Sequence, residues 1–121
     1  ILDPKTGANT FVTLGPDSAP HGVIQSKDGK AWVTDGGQNA IVRLDPKTKA
    51  VKVWKLPEGT PYANLNTAAF DGRGRIWFTG QAGWYGRLDP ASNDMKAWRS
   101  PRGNGPYGIT TTPTGDETNR E

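Results

Sequence analysis

Cysteine is absent from this chain, which excludes disulfide staples and thiolate metal sites and leaves the redox compartment open. Histidine occurs once, as His21, so one side chain supplies all the imidazole chemistry available near neutral pH. No run of about 18 apolar residues exists, so the sequence holds no candidate membrane helix and no membrane partner is expected. Apolar residues at a sustained helical spacing are also missing, and almost no helix is expected. Hydrophobic residues make up only 33% of the chain, and the mean hydropathy is −0.71, low for a protein built around one thick core. No signal peptide is visible. The chain opens on Ile1-Leu2-Asp3-Pro4, in the middle of a repeat, so a native start with any targeting signal is expected to lie elsewhere. A soluble protein is expected; its compartment is left open.

Charge excludes little. Fifteen Lys and Arg stand against twelve Asp and Glu, a net charge of +3. A nucleic-acid binder clusters its basic residues on one face. Here Lys47, Lys49, Lys52 and Lys55 surround a single turn and read as a solvated hairpin, so no nucleic-acid partner is expected.

Turn residues are what the chain has in quantity: 16 glycines and 10 prolines, set at regular positions. Leu-Asp-Pro occurs at Leu2-Asp3-Pro4, Leu44-Asp45-Pro46 and Leu88-Asp89-Pro90, at steps of 42 and 44 residues. Trp32 to Trp77 is 45 residues and Trp54 to Trp98 is 44. Pro20-His21-Gly22, Pro61-Tyr62-Ala63 and Pro106-Tyr107-Gly108 form a third series. A period in the low forties with tryptophan, glycine and short strand-like runs predicts β-propeller blades.

Each cycle divides into four segments rich in β-branched and aromatic residues, bounded by Gly, Pro, Asp or Asn. In the first they are Asn9 to Leu14, Gly22 to Ser26, Ala31 to Thr34 and Ala40 to Leu44. Ala50 to Leu56, Thr67 to Phe70, Arg75 to Thr79 and Trp84 to Leu88 follow, then Asp94 to Arg99 and Tyr107 to Thr112. The predicted fold is all-β: four-stranded antiparallel blades with a repeat of about 43 residues. The boundaries are 1–15 for the end of one blade, 16–58 and 59–101 for two full blades, and 102–121 for the start of the next. Residues 114–121 are polar, begin like the Asp28-Gly29 turn and then lose the pattern. Such a partial propeller exposes faces and edges, so the ring is expected to close with further blades of a longer chain or another copy of the same chain.

Residues that recur at the repeat period read as scaffold. Asp and Pro in Leu-Asp-Pro open tight turns, the carboxylate accepting from backbone N–H groups ahead. Trp32 and Trp77 are expected to fill the interface between blades, and Trp54 and Trp98 to pack on outer strands.

Function is sought where the repeats differ. His21 stands before an innermost strand, near the channel mouth. Its equivalents are Tyr62 and Tyr107 if the preceding proline is the anchor, or Asn66 if Trp77 is. The interval Pro61 to Trp77 is four residues longer than Pro20 to Trp32, which marks an insertion in the second cycle. Asp35 follows Trp32-Val33-Thr34, where the next cycle has Gly80. Antiparallel pairing brings the two strand ends that carry His21 and Asp35 to one edge. An imidazole beside a carboxylate is a candidate general base or metal site, and a backbone-bonded loop histidine is the plain alternative. Trp84 stands where Asn39 does in the earlier cycle and is a candidate ligand-binding residue, with Gln38, Tyr62 and Tyr107.

The pattern P-[HY]-G-[IV], DG, W-[VF]-T and I-x-R-L-D-P resembles the blade repeat of the streptogramin lyases, the virginiamycin B lyase group of bacterial propellers, over essentially the whole chain. The resemblance implies a seven-bladed ring and an antibiotic-resistance activity. In that activity a cyclic depsipeptide is opened at its ester by elimination, with magnesium required. It also implies that His21 matches a catalytic histidine and Asp35 a catalytic glutamate, one methylene shorter, with Asp35 a partial ligand of magnesium. A second family histidine falls at Gln38, an amide that cannot exchange protons near neutral pH. On that reading His21 takes the proton α to a carbonyl and the metal stabilises the resulting charge. The alternative is a non-catalytic propeller that binds a small molecule or a protein at its channel mouth.

Overall fold

The computed structural model describes residues 1–112 and 117–120. The first sheet holds β1 (Pro20–Gln25), β2 (Ala31–Asp35), β3 (Ala40–Leu44) and β4 (Val51–Lys55), antiparallel and in chain order. The second repeats the arrangement with β5 (Leu65–Phe70), β6 (Ile76–Gly80), β7 (Trp84–Asp89) and β8 (Asp94–Arg99). An antiparallel pair, β9 (Gly108–Thr111) and β10 (Glu117–Arg120), follows. Every regular element among the described residues is a strand, and the two sheets are complete propeller blades. The sequence pattern anticipated β9 alone; β10 adds a second strand from residues whose polar composition hides it. The expected turn at Gly115-Asp116 lies outside the described residues.

One predicted strand does not form. Asn9 makes an isolated bridge to Leu2, but residues 10–15 are irregular and Phe11 is 94% exposed. The β-branched and aromatic content favours an extended chain, but a strand needs a neighbour to complete its backbone hydrogen bonds, and no described strand lies beside this one.

Local chemistry explains the turns. In each Leu-Asp-Pro the aspartate accepts from a backbone N–H two residues on: Lys5 to Asp3 at 2.9 Å, Lys47 to Asp45 at 2.9 Å and Ala91 to Asp89 at 3.0 Å. The turns leave through a residue with positive φ, at Gly7, Lys49 and Asn93.

The main core lies between the blades. Trp32, Ile41, Trp54 and Leu56 of the first pack with Leu65, Ile76, Phe78 and Leu88 of the second, all buried. Trp32 stacks on Trp54 at 5.4 Å and meets Phe70 of the next blade edge-on at 5.6 Å. Trp77 stacks on Trp98 at 6.1 Å. The recurring arginine of the third strand covers each pair: Arg43 lies 5.6 and 5.2 Å from the rings of Trp32 and Trp54, and Arg87 5.5 and 5.9 Å from those of Trp77 and Trp98. The tryptophans are packing residues, as their period implied.

First strands stack on first strands, β1 against β5 and β5 against β9. The Thr34 hydroxyl donates to the Asn66 carbonyl of the next blade at 2.7 Å, and Thr79 bonds the Tyr107 carbonyl in the same way. Gly22 lies at this seam, where a Cβ would sit 2.7 Å from the Asn66 carbonyl oxygen, so only glycine admits the approach.

Candidate functional site

His21 is the extra residue of a β-bulge. Pro20 pairs with Asp35 and Gly22 with Thr34, leaving His21 without a partner and its side chain exposed. β5 carries a matching irregularity between Leu65 and Ala68, because Leu65 pairs with Gly80 as Pro20 does with Asp35. Asn66 therefore occupies in the second blade the place of His21 in the first. Tyr107, whose carbonyl takes the hydroxyl of Thr79, occupies it in the third. Tryptophan, and not proline, was the right anchor for the second cycle.

These equivalent positions meet. The Asn66 amide nitrogen lies 3.1 Å from His21 Nε2 and also donates to Gln81 Oε1 at 3.1 Å. The Thr67 hydroxyl donates to Asn66 Oδ1 at 2.8 Å. Asn66 is 2% exposed, so its amide is a buried and fully bonded anchor for the imidazole. A groove of about 240 Å³ runs along this seam, lined by His21, Ile24, Trp32, Asn66, Thr67 and Tyr107. Its lining mixes apolar with a few polar side chains, the composition of a small-ligand site.

Asp35 is not in the groove chemistry. It is fully buried and accepts four hydrogen bonds: from Ser18 Oγ at 2.5 Å, the Ala19 N–H at 2.8 Å, the Gln38 N–H at 3.2 Å and Gln38 Nε2 at 2.9 Å. Burial by itself would raise its pKa. The bonds from Gln38, Ser18 and the two backbone N–H groups outweigh it and hold the carboxyl below the usual carboxylate range. Gln38 also donates to the Leu14 carbonyl at 3.1 Å. Asp35 and Gln38 are thus brought together, but as a clamp on the segment before β1. His21 is brought to Asn66 instead, because its bulge turns it toward the neighbouring blade.

Of the remaining candidates, Tyr107 lines the groove. Tyr62 lies in the insertion before β5, 62% exposed, its hydroxyl on Asn64 at 3.1 Å. That insertion is fastened by Asn39, which accepts from the Ala63 N–H at 3.0 Å and donates to the Pro61 carbonyl at 3.1 Å. Trp84 begins β7 and pairs with Gly80, as Ala40 pairs with Asp35; it therefore matches Ala40 and not Asn39. It packs against the core under the Arg99 guanidinium at 4.8 Å, away from the groove. Asn66 and Gln81 are the site residues that the repeat pattern did not single out. The Trp77 anchor offered Asn66, and Gln81 breaks the period where Gly36 stands in the first blade.

Among solved structures, a catalytically inactive virginiamycin B lyase from Staphylococcus aureus with quinupristin matches with a TM-score of 0.79 and 27% identity, over 92% of this chain and 37% of that one. A streptogramin B lyase structure matches with a TM-score of 0.77 and 35% identity, over 88% of this chain and 35% of that one. The chain has a virginiamycin B lyase-like propeller fold. A selenomethionine-substituted virginiamycin B lyase from the same organism agrees, with a TM-score of 0.76 at 29% identity over 90% of this chain and 36% of that one. The chain thus spans about a third of the length of these lyases. No protein-family model and no curated protein matches the sequence.

The virginiamycin B lyase-like chain does not offer magnesium a ligand at Asp35. An ionised carboxylate has about four lone-pair sites, and the four donors already fill them in a buried setting. Magnesium keeps several waters and demands an open octahedral shell, for which this pocket leaves no room. The described residues contain no group of three or more His, Asp or Glu that could hold a metal ion. No helix among them is long and apolar enough to cross a membrane.

Proposed function

We propose that this chain supplies a ligand-binding surface of a streptogramin lyase-like propeller, and that the ligand is a cyclic depsipeptide held along the groove beside His21, Asn66 and Tyr107. The carrying observation is the meeting of His21 and Asn66 at 3.1 Å in a groove that is also lined by Ile24 and Trp32. A cyclic depsipeptide suits it: apolar side chains for Ile24 and Trp32, and ester and amide carbonyls for the polar side chains. The likeness to a lyase structure with quinupristin supports the same ligand class. Full enclosure of the ligand takes further blades, from a longer chain or another copy of this one.

A second reading is ester elimination. A base takes the proton α to a carbonyl, that electron pair forms a carbon–carbon double bond, and the ester carbon–oxygen bond breaks to release a carboxylate. The lyase-like fold and the single imidazole on the groove favour it. The buried Asp35 and the amide at Gln38 weigh against this blade as the catalytic one.

Titration of the protein with quinupristin, followed by tryptophan emission, tests the first reading; unchanged emission and no heat by calorimetry would end it. Incubation with quinupristin and magnesium tests the second. A linear product that disappears in a His21→Ala variant supports elimination, and its equal formation by that variant removes His21 as the base.

A further inference from the structure

We infer that Asn66 is a positioning residue that holds His21 as the Nδ1–H tautomer, so that the groove meets its ligand with an imidazole N–H donor. An amide NH₂ has two hydrogens and no acceptor capacity. Asn66 directs one of them to Gln81 Oε1 and the other to His21 Nε2, each at 3.1 Å. The ring nitrogen that faces it therefore accepts, and the neutral ring carries its proton on Nδ1. The amide does not swing freely, because Thr67 Oγ1 holds Asn66 Oδ1 at 2.8 Å. The asparagine backbone is also fixed, since Thr34 bonds its carbonyl at 2.7 Å. Orientation thus passes from the blade seam to the side chain of Asn66 and then to the imidazole.

The consequence concerns what His21 does. Its Nε2 lone pair is engaged, and taking a proton there requires breaking the bond to Asn66. Nδ1 has no hydrogen-bond partner among the described residues, and the side chain is exposed. A neutral N–H in that position binds a carbonyl oxygen and polarises it, and does not remove a proton. This makes His21 a recognition group for ester or amide carbonyls. The carbonyl partner rests on the ligand reading above; the tautomer does not.

Because His21 is the only histidine, a nitrogen-15 spectrum of the imidazole needs no residue assignment, and couplings to the two ring carbon-bound protons tell Nδ1 from Nε2. In the ligand-free protein at a pH where the ring is neutral, Nδ1 is expected to give the protonated, pyrrole-like signal and Nε2 the pyridine-like one. The reverse pattern, or two averaged signals, would overturn the inference. Asn66→Asp places an acceptor where the donor was and is expected to move the proton to Nε2. A purely structural role for Asn66 would leave the tautomer unchanged in that variant, and so would sink the assignment. Should the buried carboxylate prevent folding, the wild-type spectrum still decides, and Gln81→Ala, at a half-buried site, is expected to broaden the preference. Quinupristin titration is read separately. An Nδ1–H ring with no quinupristin binding upholds the positioning role and rejects the ligand reading, whereas binding to an Nε2–H ring does the opposite.

Discussion

The hydroxyl of Thr34 joins two blades through the main chain of Asn66: it donates to the Asn66 carbonyl at 2.7 Å and accepts from the Gly22 N–H at 3.0 Å. One side chain thus ties its own blade's inner strand to that of the next. Thr34 is 1% and Asn66 2% exposed, so the bond between them has no water to replace it, while Gly22 is half-buried. Thr34→Val keeps the shape and leaves the buried Asn66 carbonyl without its donor. It is expected to lower stability by about 1–3 kcal/mol, read as a fall in the urea midpoint with an unchanged slope. Gly22→Ala is expected to cost a similar ~1–3 kcal/mol through overpacking at the same seam.

A second expectation comes from comparing the blades. Trp77 Nε1 donates to Asp71 at 2.8 Å, and Asp71 also accepts from Arg75 Nε at 2.7 Å and from the N–H groups of Arg73 and Arg75. In the first blade Ser26 takes the place of Asp71, and the buried Trp32 Nε1 has no acceptor. Asp71→Ala is therefore expected to lower stability by about 2–3 kcal/mol, because the buried Trp77 indole loses its acceptor and the half-buried Arg75 its partner. The triple variant S26D/D28R/K30R gives the first blade the charged residues of the second and is expected to raise stability by about 1 kcal/mol. Thermal unfolding of both variants against wild type checks the pair; equal melting temperatures would refute the account.

Acid is expected to weaken the fold from a definable point. Burial would raise the carboxyls of Asp35 and Asp71, but their hydrogen bonds prevail, from Gln38 and Ser18 in one case and from Trp77, Arg73 and Arg75 in the other. Both are held below the ordinary range. The unfolded chain, with carboxyls near their ordinary value of about 3.9, binds protons first. Stability from these groups is then fully present above that pH and drains away as pH falls through the lower folded values. Urea midpoints measured from neutral pH downward are expected to stay level to about pH 5 and then drop, and Asp35→Asn is expected to flatten part of the drop.

His21→Ala separates site from scaffold. The His21 side chain is exposed and, among the described residues, bonded only to Asn66, so stability is expected to change by no more than about 0.5 kcal/mol. Affinity for quinupristin is expected to fall roughly tenfold, the equivalent of one hydrogen bond of about 1.4 kcal/mol. A variant that unfolds would show that the imidazole is structural, and one that binds as tightly as wild type would show that it does not contact the ligand.

Much of the fold was legible because it is written in local chemistry that recurs. The strand from Ala40 to Leu44 and the strand from Asp94 to Arg99 fall where the sequence put them, bounded by turns whose aspartates and glycines leave little choice. Asn9 to Leu14 failed for the converse reason: β-branched and aromatic content favours an extended chain, while a strand's existence depends on a partner elsewhere. The site was less legible. Two residues at facing strand ends suggested a His21–Asp35 pair, but a one-residue bulge rotates His21 out of that register. Nothing in a single sequence marks a bulge without φ-permissive glycine. Gln38 illustrates the same limit, since its role depends on Asp35 being buried and on Leu14 passing nearby.

The seam between blades has one more consequence. Thr34 and Thr79 grip the next blade by a carbonyl, a group every amino acid carries, and so they impose no requirement on the side chain at that point. Histidine, asparagine and tyrosine stand there in succession as His21, Asn66 and Tyr107. The side chain at this point can therefore change from blade to blade while the hydrogen bonds that fasten one blade to the next stay as they are.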